Sequence, residues 1–350
     1  MRKIILQSAI AIVAFFCWIH LASAQDKTFK VGCVAFYNTE DFYDTINDPK
    51  TNDDDFTPDG KNSWTSQRYW TKVDHISTVI SQIGDELVKG GPVIMGLSEI
   101  ETQGVLEDLV NAPALKASHY GIVYYKSPDR RGICVAMLYQ KDHFTVINSK
   151  PVPLYIKDLP DFRTRDQLVV YGKFDGDPMY FIVNHWPSRY GGAEKSAPLR
   201  NAAADLTKSI VDSIQKIDPT SKIVVMGDLN DDPTNESLVK HLKAKDKLKD
   251  VGQTDLFNPM YKLYKKDGLG TLDYQSNWDL FDQIIVSGTL LGDDKSTYKF
   301  YRACIFNKKT YLFQQDGPYK GYPLRTYAGG AYTGGYSDHL ASYIFLIKQK

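Results

Sequence analysis

Short apolar runs, each closed by a polar residue, recur along the whole chain. Residues 31–37, 93–97, 120–125, 134–139, 168–171, 180–183, 223–226, 284–286 and 342–347 are rich in β-branched and aromatic side chains. Turn formers bound them, which is the pattern of buried strands. Two stretches follow the helical period instead. Val73, Ile76, Ile80, Ile83 and Leu87 recur at three- and four-residue spacing, and so do Leu199, Ala202, Ala203, Leu206, Ile210, Ile214 and Ile217. Strands and helices in both halves predict two mixed sheets packed together with helices outside, a layered α/β sandwich. The chain lacks a long linker, a low-complexity tract or an internal repeat, so one domain is expected over residues 25–350. The acidic stretch 48–61 lacks the regular spacing of a calcium loop and reads as a solvated turn. The Tyr- and Gly-rich stretch 319–336 reads as an ordered loop leading into the last strand.

The N-terminus carries a separate signal. Arg2 and Lys3 precede a largely apolar segment ending in Ala22-Ser23-Ala24, the form of a secretory signal peptide over residues 1–24. A secreted or periplasmic protein without a transmembrane anchor is expected, because no second apolar stretch is long enough to cross a bilayer. The 350 residues hold 42 basic and 42 acidic side chains; without Arg2 and Lys3 the balance is 40 − 42 = −2. That balance excludes a broad basic surface for clinging to nucleic acid, but not a metal site with local arginines. Cys33, Cys134 and Cys304 sit in apolar contexts and read as core cysteines more than a disulfide framework.

Chemistry gathers at the strand ends. Glu99 closes one run, His185 another, and Asp338-His339 opens the last. Gly227-Asp228-Leu229-Asn230-Asp231 follows the run 223–226, and side chains at i and i+2 of a strand end point the same way. They can therefore share one metal or one phosphate, although Gly-Asp-x-Asn also makes an ordinary turn. Convergence of several such ends favours a site. His75, His119, His143 and His241 fall on helix surfaces or loops and are assigned no role. The sequon Asn235-Glu236-Ser237 is explained equally well by a helix start after Pro233.

Taken in order, Val34-Ala35-Phe36-Tyr37-Asn38-Thr39-Glu40, Gly96-Leu97-Ser98-Glu99-Ile100-Glu101, Asn184-His185-Trp186-Pro187-Ser188-Arg189, Gly227-Asp228-Leu229-Asn230-Asp231, Phe281-Asp282-Gln283-Ile284 and Tyr336-Ser337-Asp338-His339 form a series. The series resembles the motifs of the endonuclease/exonuclease/phosphatase superfamily, in particular its secreted bacterial members. The resemblance implies a four-layer α/β/β/α sandwich and divalent-metal-dependent phosphoester hydrolysis, with Mg²⁺ as cofactor and Mn²⁺ able to substitute. It implies Glu99 as the principal metal ligand, with Glu40 and Asp338 completing the metal side. Asn38 would hold the phosphate, Asp228 would orient or deprotonate the attacking water, and Asn230 would donate to a non-bridging oxygen. His339 would contact the scissile phosphate, its tautomer fixed and its cation favoured by Asp282. His185, a second imidazole as in the deoxyribonuclease I and sphingomyelinase branches, would protonate the leaving oxygen.

Arg131 and Arg189, with Arg130 and Arg165, are candidate phosphate binders because guanidinium forks match phosphate oxygens. Two departures stand out. Asn184 directly precedes His185, and Glu40 stands where the abasic-site branch has Asp. The sequence offers no clear carboxylate partner for His185, whose presence argues against a close match to the abasic-site endonucleases.

The expected activity is a secreted phosphodiesterase, an endonuclease on DNA or RNA, with nucleic acid or another phosphodiester as partner and no stable protein partner implied. The alternative is a lipid or small-molecule phosphoesterase, which the near-neutral charge and the aromatic loop favour. Tyr311-Leu312-Phe313 is the only hint of the apolar hairpin a sphingomyelinase would need. A binding module with a decayed site is the third reading, disfavoured because competent residues fill every motif position.

Overall fold

In the computed structural model, residues 28–350 are described; the expected signal peptide lies outside them. The first strands are β1 (Phe29–Phe42), β2 (Ile94–Ile100), β3 (Tyr120–Tyr124), β4 (Cys134–Gln140), β5 (Phe144–Val152), β6 (Gln167–Phe174), β7 (Asp177–His185) and β8 (Ile223–Asp228). Then follow β9 (Ala244–Lys245), β10 (Leu256–Phe257), β11 (Leu272–Tyr274), β12 (Asn277–Asp279), β13 (Asp282–Ser287), β14 (Lys299–Ile305), β15 (Tyr327–Ala328), β16 (Ala331–Tyr332) and β17 (Ser342–Gln349). The helices are α1 (Ser66–Gln82), α2 (Gln103–Asn111), α3 (Ala193–Ile217) and α4 (Met260–Lys265).

A six-stranded sheet runs β14-β17-β1-β2-β4-β3, and a seven-stranded sheet runs β5-β6-β7-β8-β13-β10-β9. Strand alternation makes them pack. Val224 and Met226 of β8 join the apolar core between the sheets, whereas Ile223 and Val225 turn outward to Ala203, Ala204 and Val211 of α3. Gly96 of β2 permits the close approach, since a Cβ there would meet Met226 Sδ at 3.0 Å. On the other side α1 and α2 bury Val73, Ile76, Ile80, Leu106 and Leu109 against the first sheet. The expected α/β/β/α sandwich results.

The central pairs β1–β2 and β7–β8 are both parallel, so their C-terminal ends coincide. Asn38 lies level with Ser98, and Asp228 pairs with both His185 and Asp282. Parallel pairing thus carries the candidate site residues to one end of the sandwich.

The sequence pattern misplaces some boundaries. The apolar stripe of α1 was expected to reach Leu87, yet the helix stops at Gln82 and Leu87 is exposed. Gly84 ends it at φ 79°, a conformation that favours glycine. Strands β5 and β14 lie at sheet edges and are partly exposed, so neither shows a continuous apolar run. Cys33, Cys134 and Cys304 are free thiols. The acidic stretch is a turn in which Asp53 is buried and accepts the Asp48 N–H.

Candidate active site

Four of the polar strand-end residues sit in a backbone conformation that L-residues avoid. Glu40 (φ 53°), Asp41 (φ 50°), Glu99 (φ 63°) and Asn230 (φ 51°) are all left-handed. The β1–β2 register breaks between Asn38 and Phe42, and the β2–β4 register breaks between Ser98 and Ile100. Such bulges re-aim side chains at the end of a sheet, and strain of this kind persists where surrounding structure enforces it.

Asp228 is the hub. Its Oδ2 accepts Asn38 Nδ2 at 3.0 Å and its Oδ1 accepts the Asn230 N–H at 2.9 Å. Two imidazoles face the same Oδ2: His185 Nε2 at 3.6 Å and His339 Nε2 at 3.9 Å. Behind His339, Asp282 Oδ2 lies 2.6 Å from Nδ1. Ser337 braces the ring's backbone, accepting the His339 N–H at 3.0 Å and donating to Asn38 O at 2.7 Å.

The imidazoles have opposite electrostatics. Burial opposes a His339 cation, but Asp282, Asp228 and Asp338 outweigh it and hold the pKa well above the usual histidine value. Burial, reinforced by the positive charges of Arg165, Arg131 and His339, pushes His185 well below it. Asp228 is pushed up to about 6, chiefly by burial, with Asp282 adding to the effect and the His339 cation resisting it. His185 therefore has its carboxylate neighbours after all, Asp228 and, at 3.9 Å, Glu99 Oε1. Its Nδ1 is buried without a partner. Burial thus favours the neutral ring of His185, whereas the expected protonation of the leaving oxygen calls for its cation.

Glu99 accepts the Asp41 N–H at 2.8 Å, and Arg131 Nη2 stands 3.9 Å from its other oxygen. Burial disfavours its charge, but Arg131 and the Asp41 N–H outweigh burial and lower its pKa. Asp41, not singled out from sequence, is pushed up to about 8 by burial and the Glu99 charge. Crowded carboxylates of this kind suit a hard divalent cation, which prefers oxygen donors and would relieve the repulsion.

Glu40 and Asp338 are held differently from Glu99. Glu40 accepts the Thr326 N–H at 2.6 Å and Arg325 Nε at 3.3 Å, with Lys72 Nζ 3.7 Å away. Arg325 Nη2 also donates to Asp338 Oδ2. Arg325 thus joins two of the three expected metal carboxylates to each other rather than to Glu99. Among the described residues, the ligand atoms lying within 4.8 Å of one another belong to Asp228, Asp282 and His339. The 2.6 Å contact engages two of those groups with each other, as suits a catalytic pair.

The arginines divide. Arg131 is half-exposed at the rim, within 4.0 Å of Asp41, Glu99 and Asp129 carboxylates. Arg165 is buried and donates to Trp186 O at 2.6 Å and Asp129 at 3.3 Å. Arg189 donates to Asn230 O, Asp231, Asp232 and Asn235 and stacks 4.4 Å from the Phe281 ring centre. These contacts buttress the Asp228 loop and occupy donors that the expected phosphate role would use. Asn230 Nδ2 donates to Trp186 O at 2.9 Å, leaving one amide hydrogen for a substrate oxygen.

A family model described as Endonuclease/Exonuclease/phosphatase family matches residues 33–348. Solved structures share the fold at low identity. A humanized D. rerio TDP2 is 12% identical, with a TM-score of 0.55 over 90% of this chain and 98% of that one. A Bacteroides thetaiotaomicron protein described only by the same family is 18% identical, with a TM-score of 0.54 over 92% and 97%. A mannosyl-6-phosphatase of the same organism is 18% identical, with a TM-score of 0.53 over 90% and 99%. No curated protein matches the sequence.

Proposed function

The chain belongs to the endonuclease/exonuclease/phosphatase family, and from that premise we propose that it is an exported, Mg²⁺-dependent nuclease hydrolysing phosphodiester bonds in DNA or RNA. The observation that carries hydrolytic chemistry is the pair of imidazoles around Asp228 Oδ2, His339 favoured as the cation and His185 as the neutral ring. Asp228, deprotonated above its raised pKa, orients a water and accepts its proton. The His339 cation, steadied by Asp282, and Asn38 neutralise charge on the phosphoryl oxygens, commonly the largest catalytic contribution. Neutral His185 hydrogen-bonds beside them without adding charge. A divalent metal held by Glu99, with Asp41 beside it, would polarise the phosphoryl group. Glu40 and Asp338, linked by Arg325, would shape that side of the cleft.

Nucleic acid as substrate is supported by the rim, where half-exposed Arg131 and the exposed rings of Tyr274 and Tyr319 offer charge and stacking surfaces. Export is supported by the basic, apolar and small-residue segments over 1–24. A small-molecule or lipid phosphoester is the second reading, favoured by a formal net charge of +0. The test is hydrolysis by the chain from Gln25 onward in Mg²⁺ against a chelator. The panel is plasmid DNA, single-stranded RNA, sphingomyelin and inositol phosphates, with His339→Ala in parallel. Metal-dependent nicking lost in the variant supports the nuclease. Hydrolysis of the lipid or inositol substrates alone transfers the same chemistry to the second reading.

A further inference from the structure

We propose that a tyrosine-walled pocket beside the catalytic imidazole seats one unpaired nucleobase next to the phosphate being cleaved, a role that presupposes the nuclease reading. The pocket encloses about 240 Å³ between the β11–β12 hairpin and the loop before β15. Tyr274, Tyr319 and Tyr322 line it, and Arg325 and Asp338 form its border with the catalytic site. Asp338 Oδ1 is 3.9 Å from His339 Nε2, so pocket and phosphate site share one carboxylate.

The hairpin is tied to the chemistry. Leu272 forms an antiparallel bridge with His339, Leu340 N donates to Thr271 O at 2.7 Å, and Asp282 N donates to Thr271 Oγ1 at 3.2 Å. Its two-residue turn is Gln275-Ser276, at φ 52° and 63°. Two positive φ values are the geometry that Asn-Gly usually supplies, so this turn is strained. Tyr322 Oη holds it by accepting the Ser276 N–H at 2.8 Å. Strain held in place next to a site is a mark of function.

The lining selects the occupant. Aromatic faces stack bases of any sequence. Asp273 lines the same pocket and brings a carboxylate acceptor for a base N–H or exocyclic amine. Arg325 is engaged by Glu40 and Asp338, so a neutral ring fits better than a second phosphate. A base can enter only if unstacked, which favours single strands or frayed ends.

The test uses single-stranded oligonucleotides in Mg²⁺ in which a tetrahydrofuran spacer replaces one nucleotide, with cleavage mapped at every bond. The wild type should cut beside the spacer about tenfold more slowly than at ordinary bonds. Tyr274→Ala and Tyr319→Ala, both at exposed positions, should lose about tenfold on ordinary bonds and cut spacer and ordinary bonds alike. Equal wild-type rates at spacer and ordinary bonds would overturn the pocket and leave the nuclease standing. No cleavage of any oligonucleotide would overturn the nuclease reading and the pocket with it. Hydrolysis of hexose phosphates that Tyr274→Ala slows would assign the pocket to a sugar ring and overturn the proposal.

Discussion

His185 and His339 approach one oxygen, Oδ2 of Asp228, to 3.6 and 3.9 Å, yet only His339 is held as a cation. The division follows from position. His339 has Asp282 against its far nitrogen, whereas Nδ1 of His185 is buried with no partner.

This pair should shape the pH dependence of stability. His185 has a folded pKa below 6.5, so between that value and 6.5 the unfolded chain binds more protons and stability rises with pH. His339 has a folded pKa above 6.5, so its contribution is complete below 6.5 and is lost as pH rises through the folded value. The joint contribution peaks near 6.5. Urea midpoints between pH 5 and 9 should show His339→Asn flattening the alkaline decline and His185→Asn flattening the acid rise. Parallel curves for all three proteins would contradict the assignment.

Asp282→Asn keeps the size of the side chain but removes the charge that favours the His339 cation. Turnover should fall roughly 10²–10⁴-fold, the range for general acid–base groups and the residues that orient them. The His339 titration, followed by its imidazole NMR signals, should move down toward the ordinary histidine range. Lost activity with an unmoved titration would give Asp282 a purely steric role.

Legibility from sequence followed locality. Asn38, Glu99, His185, Asp228 and His339 each sit at or beside a strand end, so periodicity and motif order locate them. Arg325 and Lys72 were not legible. Arg325 lies in a Tyr- and Gly-rich loop and meets Glu40 across 285 positions, and Lys72 reads as one polar residue of an amphipathic helix. The partners of His185 were invisible because only the packing of two sheets brings Glu99 and Asp228 to the same ring. The loop contacts of Arg189 were equally invisible, because a guanidinium in a motif reads the same whether it faces phosphate or its own loop. Edge strands β5 and β14 lacked the apolar run that marks a buried strand.

The two arginines make a paired prediction. Arg189→Ala leaves buried Asp232 short of its cation, while Asp231 keeps Arg200 at 2.8 Å, and should cost about 2–4 kcal/mol in urea unfolding. Arg131→Ala removes a half-exposed rim charge and should leave stability within about 0.5 kcal/mol. It should also raise KM for oligonucleotides and flatten the salt dependence of kcat/KM. Reversed outcomes would exchange the two roles.

Glu99→Gln should lower turnover by about 10³-fold or more and weaken Mn²⁺ binding measured by calorimetry on the protein alone. Glu40→Gln should weaken binding less, because Glu40 is already engaged by Arg325, Thr326 and Lys72. Equal losses of affinity would place both carboxylates on the ion and imply that Arg325 swings away when it binds.

Lys72 gives the sharpest test of how the last loop is fastened to the site. Its ammonium is buried, donates to Thr326 Oγ1 at 2.6 Å and Tyr336 O at 2.8 Å, and lies 3.7 Å from Glu40. Burial lowers its pKa, while the Glu40 carboxylate opposes the shift. Lys72→Met keeps the stem but removes one of the two cations facing buried Glu40 and leaves Thr326 Oγ1 and Tyr336 O without their donor, which should cost roughly 2–4 kcal/mol. Adding Glu40→Gln removes the carboxylate that Lys72 helped to balance, so the double variant should recover part of that loss, a coupling of about 1–3 kcal/mol. The loss should be local first: amides of residues 324–336 should exchange faster than those of β17. Strict additivity with uniform exchange would mean that Lys72 merely fills space.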